Sequence, residues 1–555
     1  MSSRLVVGAR VRVVLNGRRV GGWVVDISAH GDREHHVSLD RLSPIQSLSG
    51  AGVAADVVAL TKWVSQQWYG PWRAVLASAS APRVREKSVH SRHGTSVGSF
   101  SDPVADAVRD MWASRGGLIV VPPLASSLSC VVGAASFGTV LVICPTIRMA
   151  VAGAAALRRR GLTTALLPDD WDNARVGVDV VIGTRSGVFA PVDGLSSIVV
   201  IDEHDESLHE ERAPTWDAVS VARERARRAS IPFFATSPVP SVATLFAYRQ
   251  STRWIRGDRE WPTIQVSNLN DVPVKGSLLT TEMLDSVKDA TKSTVCVLNT
   301  KGKSRLLVCK SCRHIQRCSE CLSLLSQDGS NPLVCHRCAQ ERGSVCGECG
   351  RASFVVLRGG VGQLREQIEA NSQNEVVEIT SDSHDDWVSG RVFIGTEAAL
   401  FRVPSADAVI FCDVDRDLSA PRMTAGSEVL ALVARAARIV GGNGKIVIQT
   451  RQPDHPVLQA LASRVVVDGI RELVESELEK RIALQLPPVS RVIRVGLPNG
   501  YSLADDLVGG NVMVAREDDG VLLRSESDEA LSSTLQGMRQ VFGTTMRVYA
   551  DPRRF

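Results

Sequence analysis

VDVVIGTRSGVFAP and SSIVVIDEHDES, joined by VDGL into the single stretch Val178–Ser207, decide the fold of this 555-residue chain. Each half is a run of apolar, mostly β-branched residues that gives way to polar ones at its C-terminal end. Runs that are apolar throughout, rather than alternating, belong to strands buried on both faces, as in a parallel sheet covered by helices. Such sheets gather ligands at the carboxyl ends of their strands. There this stretch places Gly183-Thr184-Arg185-Ser186 and Asp202-Glu203-His204-Asp205. Working outward, GLIVV (Gly117–Val121), TVLVICP (Thr139–Pro145) and IPFFATS (Ile231–Ser237) complete one series of strands. TVCVLN (Thr294–Asn299), VVEIT (Val376–Thr380), RVFIGT (Arg391–Thr396), DAVIFCDVD (Asp407–Asp415) and KIVIQT (Lys445–Thr450) form a second. Helical stretches separate the strands, so the chain is expected to be multidomain α/β with two parallel-sheet lobes. Asp-Glu directly after an apolar strand has the form of a Walker B carboxylate, which holds magnesium beside a phosphate. The plainer reading of Asp202 and Glu203 is a capped strand end.

Between the first and second strands of the second series lie four Cys-x-x-Cys pairs: Cys309/Cys312, Cys318/Cys321, Cys335/Cys338 and Cys346/Cys349. Eight thiolates make two tetrahedral S4 sites, and a two-residue spacer lets both sulfurs of a pair face one ion, so two structural Zn2+ are expected. A disulfide framework is the competing reading, but MSSRLVVGARVRVVL has no apolar h-region and cleavage site, so nothing suggests secretion. The spacings match neither ferredoxin pattern for iron–sulfur ligation. Cys130, Cys144, Cys296 and Cys412 stand in apolar surroundings typical of buried thiols.

No uninterrupted apolar run reaches about 18 residues, so no membrane span is expected. Net charge is only +4. It is uneven: residues 1–100 carry 13 Arg and Lys against 6 Asp and Glu, a basic end suited to phosphates or simply a solvated face. Here RVRVVL (Arg10–Leu15), Asn16-Gly17 and GGWVVDIS (Gly21–Ser28) read as a β-hairpin. Val57, Val58, Leu60, Trp63, Val64 and Trp68 then recur at helical spacing. At that spacing Trp63, Trp68, Tyr69 and Trp72 are read as helical core rather than base-stacking platforms. Pro82–Pro103 is polar, basic and aperiodic, and reads as a linker.

The order of GTRS-x-x-FAP, an Asp-Glu box, Ala-Thr-Ser-Pro, four Cys-x-x-Cys pairs and ELEKRIALQLPPVSR (Glu477–Arg491) resembles the primosomal protein N′ (PriA) family of replication restart proteins over nearly the entire chain. The resemblance implies two RecA-like lobes of superfamily 2 helicase type with an inserted zinc module. It divides the chain into a 3′-DNA-end-binding-like β domain (1–48), a winged-helix-like domain (49–90), a linker (91–104) and lobe 1 (105–270). Lobe 2 begins at 271–308, is interrupted by the zinc module (309–350) and resumes at 351–470; a C-terminal α+β domain (471–555) follows. It also implies nested metal sets, Cys309, Cys312, Cys346 and Cys349 for one zinc and Cys318, Cys321, Cys335 and Cys338 for the other. Implied partners are forked and single-stranded DNA, other primosome components, single-stranded-DNA-binding protein and the replicative helicase, in a cytoplasmic, nucleoid-associated, monomeric protein. Arg10, Arg12, Arg18 and Arg19 are candidate phosphate contacts.

Departures from the family pattern bear on ATP and Mg2+. A Gly-Lys-Ser/Thr phosphate loop is replaced by VVPPLASSLSCVV (Val120–Val132), with two prolines and no lysine or glycine. The Gly-Arg-x-Gly-Arg motif becomes Ala434-Arg435-Ala436-Ala437-Arg438, and GTEAALFRVPSADAV (Gly395–Val409) lacks the family's Lys, Gly and His. The chain starts after the family's first strand, and Ser43 stands where a pocket lysine is expected, so the true start lies upstream or end recognition is weakened. These losses point to a divergent branch whose Asp202, Glu203, Arg435 and Arg438 are vestigial. The leading expectation is a replication restart protein without helicase activity of its own. The alternatives are an active ATP-dependent 3′→5′ helicase and a zinc-ribbon interaction scaffold.

Overall fold

The computed structural model describes residues 5–28, 42–50, 52–80, 102–257, 260–273, 277–299, 306–312, 314, 316–320, 325–327, 332–335, 338–357, 361–372, 374–380, 390–420, 422–497, 509–517, 520–543 and 546–552. The chain divides into two compact units, Met1–Asp258 with Ile470–Phe555, and Arg259–Gly469.

The first unit opens on a three-stranded antiparallel sheet of β1 (Arg10–Leu15), β2 (Arg18–Trp23) and β3 (Ile45–Gly50), in the order β2-β1-β3. Asn16 and Gly17 turn the hairpin with φ of 49° and 76°, the left-handed pair that a two-residue hairpin needs. Pairing resumes at once, Leu15 opposite Arg18, so β2 begins before the apolar pattern at Gly21. Two helices follow, Ala55–Gln67 and Trp72–Ser78, burying Val57, Val58, Leu60, Val64, Trp68, Val75 and Leu76. A third, Pro103–Met111, opens lobe 1. Proline at its first position and the Asp102 carboxylate, accepting from the amides of Val104 (2.9 Å) and Ala105 (2.8 Å), fix its start.

Lobe 1 is built on β4 (Gly116–Val120), β5 (Thr139–Ile143), β6 (Thr164–Leu166), β7 (Val180–Gly183) and β8 (Leu195–Val200). A short antiparallel pair, β9 (His209–Glu210) and β10 (Trp216–Asp217), precedes β11 (Phe233–Ser237) and β12 (Thr252–Trp254). Seven strands pair in parallel in the order β12-β4-β11-β8-β5-β7-β6. Every residue of β4, β5 and β11 is buried, the reason these runs carry no alternation. The edges β6 and β12 are three residues long, too short to leave a pattern.

The second unit holds a six-stranded parallel sheet. Its strands are β13 (Thr263–Asn268) and β14 (Thr294–Val297), then, after the insertion of β15 (Leu306–Cys309), β16 (Leu325–Ser326), β17 (Leu333–Cys335), β18 (Glu341–Arg342) and β19 (Phe354–Leu357), the strands β20 (Val376–Ile379), β21 (Val392–Gly395), β22 (Ala408–Phe411) and β23 (Lys445–Thr450). The order is β13-β23-β22-β14-β21-β20. Antiparallel pairing of β15 with β19 closes the base of the cysteine-bearing insertion, and β16-β17-β18 form a small sheet within it. Back in the first unit, β24 (Arg491–Gly496), β25 (Met513–Glu517), β26 (Gly520–Ser525) and β27 (Arg547–Ala550) make an antiparallel sheet ordered β25-β26-β24-β27. The helix Asp528–Phe542 buries Leu531, Leu535 and Met538. Among the described residues no helix is long and apolar enough to cross a membrane. Cys130, Cys144, Cys296 and Cys412 are buried.

Candidate functional site

At the carboxyl edge of the lobe 1 sheet, β4 leads through Val121–Ser127 into the helix Leu128–Ala135. Pro122 and Pro123 have no amide hydrogen. The amides of Ala125, Ser129 and Cys130 are spent inside the protein, on the carbonyls of Pro122 (3.0 Å), Ser126 (3.1 Å) and Ser127 (3.1 Å). A phosphate nest requires several convergent, unspent amides. In this turn two positions lack an amide hydrogen and three amides are already bonded.

Asp202 and Glu203 follow β8 and are both buried; Asp202 takes a left-handed φ of 51°. Both carboxylate oxygens of Glu203 are engaged. One carboxylate oxygen accepts from the Ser241 amide (2.7 Å), and the other from the hydroxyls of Ser241 (2.7 Å) and Thr244 (2.6 Å). Ser241 is the N-cap of the helix Val242–Ala247, and its hydroxyl also accepts from the Thr244 amide at 3.2 Å. Glu203 thus completes a helix cap. Burial raises its carboxyl above the ordinary range, against the opposing effect of these donors. His204 Nδ1 meets Ser237 Oγ at 2.7 Å, joining the Asp-Glu box to the Ala-Thr-Ser-Pro segment. Ser241 and Thr244 lie 38 and 41 residues beyond Glu203, and no local pattern announces them.

GTRSGVFAP is also held internally. Arg185 donates to the carbonyls of Ser207 (3.1 Å) and His209 (3.2 Å) and pairs with Glu210 at 2.7 Å. The buried Arg225 donates to the carbonyls of Val188 (2.7 Å) and Ala190 (2.8 Å). In lobe 2, Arg435 and Arg438 ride the helix Ala425–Val440, whose alanines 434, 436 and 437 are buried. The Arg435 guanidinium lies 3.7 Å from the ring centroid of Phe401, a cation–π contact. The structure leaves both arginines half-buried.

In the insertion, Cys309, Cys312, Cys346 and Cys349 bring their sulfurs within 4.8 Å of one another. Cys309 to Cys349 and Cys312 to Cys346 are each 3.5 Å. Four sulfurs at about 2.3 Å from one zinc stand about 3.8 Å apart, so this set fits the ion. Cys318, Cys335 and Cys338 form a second cluster, with 3.5 Å between Cys318 and Cys338; Cys321 lies outside the described residues. Three of the pairs share one turn. The amides of Cys309, Cys335 and Cys346 donate to the carbonyls of His314 (3.0 Å), Gln340 (2.9 Å) and Arg351 (2.9 Å), each five residues on. The amide of Cys312 lowers the Cys309 thiol. Burial opposes ionisation of Cys346, but the amides of Cys349 and Glu348 and the side chains of Cys312 and Gln316 pull it down to about 6. Both clusters can hold a metal ion.

On the N-terminal sheet, the register sets Arg10 opposite Trp23, Arg12 opposite Gly21 and Val14 opposite Arg19, so Arg10, Arg12 and Arg19 share a face. Arg18 pairs with Leu15 on the other. Arg12, Arg18 and Arg19 are exposed, while Arg10 is half-buried 5.9 Å from the Trp23 ring. Of the aromatics, Trp68 is buried and edge-on to Trp63, Trp72 donates to Thr61 Oγ1, and Arg491 covers Tyr69 at 5.8 Å. Ser43 is exposed.

Residues 1–81 match the family model of the PriA 3'DNA-binding domain (3'BD). This match takes in the arginine-bearing sheet and the two helices that follow it in the chain. The replication restart protein PriA of Thermotoga maritima is 27% identical over 359 residues, 59% of this chain and 47% of that relative. PriA of Treponema pallidum is 28% identical over 57% and 51%, and PriA of Bacillus subtilis 24% over 55% and 42%. This chain is similar to the PriA replication restart proteins. It spans about half the length of the curated relatives it matches. Among solved structures it is similar to the DUF1998 helicase MrfA bound to DNA (11% identity, TM-score 0.38, covering 84% of this chain and 70% of that one). It is also similar to S. cerevisiae Dbp5 bound to RNA and ADP BeF3 (12%, TM-score 0.33, 77% and 98%).

Proposed function

We propose that this PriA relative is a DNA-binding replication restart protein that recognises forked or single-stranded DNA and helps reload the replicative helicase, without ATP-driven unwinding of its own. The DNA half of this reading rests on the match of residues 1–81 to a 3'DNA-binding domain. In it, Arg10, Arg12 and Arg19 contact phosphates from one face of the hairpin. Contacts to the backbone position a protein without reading sequence, and they make binding salt-dependent.

The non-hydrolytic half is carried by Glu203. Phosphoryl transfer is positioning plus charge neutralisation. Here the acidic box caps a helix, and the β4 turn has two prolines and no lysine. Zinc held by Cys309, Cys312, Cys346 and Cys349, and by Cys318, Cys335 and Cys338 with Cys321, would supply tetrahedral cross-links that fold the insertion. On this reading that insertion is the contact surface for primosome components, single-stranded-DNA-binding protein and the replicative helicase, and the protein works at the nucleoid as a monomer.

Steady-state ATP hydrolysis with and without forked DNA tests the reading. Fork binding with no DNA-stimulated turnover is the expected result. Both lobe 2 arginines persist on one helix, which favours the active-helicase alternative. A DNA-stimulated rate abolished by Glu203→Gln would establish that alternative. Absence of fork binding would leave the zinc-ribbon scaffold.

A further inference from the structure

A buried glutamine joins the two cysteine clusters. Gln316 stands two residues before Cys318, and its relative exposure is 0%. Its Nε2 donates to the His314 carbonyl (2.8 Å) and to Cys346 Sγ (3.4 Å). Its Oε1 accepts from Arg342 Nη2 (2.5 Å) and from the Gly347 amide (3.3 Å). A primary amide has two donor hydrogens and two lone pairs, so all four positions are in use. The partners also fix its orientation: reversal would set oxygen against the His314 carbonyl and NH2 against two donors. The backbone is tied down as well, Gln316 N donating to Leu307 O of β15 (2.9 Å) and Leu325 N of β16 to Gln316 O (3.0 Å). Arg342 ends β18, which pairs with β17, the strand of Cys335. One amide therefore connects a sulfur of the first cluster to the ribbon that carries the second.

We propose that Gln316 is a positioning residue for the metal held by Cys309, Cys312, Cys346 and Cys349, and that through Arg342 it makes this site depend on the fold around the other. The inference rests on the zinc reading above. Four thiolates on one divalent ion leave a net charge of −2 in a partly buried place. Donors to the sulfurs spread that charge and hold the ligand at its angle. The Glu348 amide also donates to Cys346 Sγ at 3.4 Å, so Cys346 takes one fixed donor from its own turn and one from across the module.

The test is zinc competition with a chromogenic chelator on the full chain, together with the absorption spectrum of the cobalt-exchanged protein. Gln316→Glu is isosteric but turns an acceptor toward the sulfur, and Gln316→Met removes the donor. Each should weaken one of the two ions, Gln316→Glu by about 10–100-fold, and leave the other at wild-type affinity. The sulfur-to-cobalt charge-transfer band of the weakened site should shift. Arg342→Gln, which keeps the bond to sulfur but removes a partner of Oε1, should weaken the same ion by a smaller factor. Wild-type affinity and an unchanged band in both Gln316 variants would overturn the proposal. So would loss of both ions together, which marks a general requirement for folding. A wild-type chain with no zinc would defeat the zinc reading itself and the proposal with it.

Discussion

Replacing Glu203 distinguishes a structural carboxylate from a catalytic one. Glu203→Ala strands the Ser241 amide and the Ser241 and Thr244 hydroxyls, all now within 2.7 Å of the carboxylate. Hydrogen bonds to a charged group contribute about 1.5–3 kcal/mol each, and relief from burying the charge returns part of that. The Ser241 hydroxyl still caps the helix through the Thr244 amide. The net cost is about 3 kcal/mol, on the order of 5 °C in the unfolding midpoint. Glu203→Gln keeps an acceptor for the Ser241 amide and offers a donor to hydroxyls that rotate to accept, so it costs about 1 kcal/mol or less. The pH dependence gives a second readout. Burial raises the Glu203 carboxyl, so the folded chain holds this proton more tightly than the unfolded one. Its contribution is full below the unfolded-state pKa and is lost as pH rises through the folded value, by about 1.4 kcal/mol per pH unit crossed. Glutamine has no such slope, so the Gln variant should gain on wild type as pH rises from about 4 through the folded value. Calorimetric midpoints over a pH series would check both effects. An Ala variant with the wild-type midpoint, or a Gln variant tracking wild type across the series, would refute the capping role.

Three further outcomes are expected. Metal analysis should find two zincs per chain, and stripping them should remove on the order of 10 kcal/mol of stabilisation per site; no zinc, or an iron–sulfur chromophore, would contradict the cluster geometry. Arg12→Glu and Arg19→Glu should each weaken fork binding about equally for all sequences and flatten the salt dependence by about one phosphate contact; unchanged binding in the double variant would place the contacts elsewhere. Arg491→Ala should cost about 2–3 kcal/mol and speed proteolysis of the C-terminal sheet, because it deletes the bond to Gln67 O (2.9 Å) and the ion pairs to Asp528 (3.1 Å) and Asp551 (2.8 Å); a wild-type digestion rate would count against it.

The parallel strands are legible because burial on both faces leaves them largely apolar and without alternation, as in β4 and in Val140–Ile143 of β5. The edges are not. β13 reads Thr-Ile-Gln-Val-Ser-Asn, four of its six residues polar, and β3 reads Ile-Gln-Ser-Leu-Ser-Gly, each taking its strand form from a neighbour's hydrogen bonds. The cysteine spacing announces metal chemistry, but a pair two residues apart does not say which distant pair shares its ion. That depends on the β15–β19 pairing, which brings Cys309 beside a strand more than 40 residues on. Missing phosphate-loop residues are visible in the sequence. The partners of Glu203 are not, because Ser241 and Thr244 follow only after β11. Likewise the alanines around Arg435 are visible, and the Phe401 ring beneath it is not.

A parallel lobe without a glycine-rich phosphate loop still has mechanical work in this fold, because the two ends of the chain are fastened to it and to each other. Arg175 donates to the Gly52 carbonyl at 3.1 Å, and Arg225 reaches Asp56 at 3.6 Å while holding the Val188 and Ala190 carbonyls. Between the two N-terminal helices, Gly70 approaches Pro214 so closely that a Cβ would stand 2.1 Å from the proline ring. From the other end, Thr215 donates to the Ala550 carbonyl (3.5 Å), Arg491 binds Gln67 and covers Tyr69, and Arg539 donates to the Tyr69 carbonyl. Asp551 and Asp528 hold Arg491 charged against the cost of its burial. Removing the lobe would take away the Arg175 and Arg225 side chains that hold Gly52 and Asp56, the Thr215 bond to the Ala550 carbonyl and the Pro214 ring that packs on Gly70. On the function proposed above, a chain selected for DNA binding would keep the sheet, its GTRSGVFAP brace and its capped Asp-Glu turn for these contacts, whether or not a nucleotide binds.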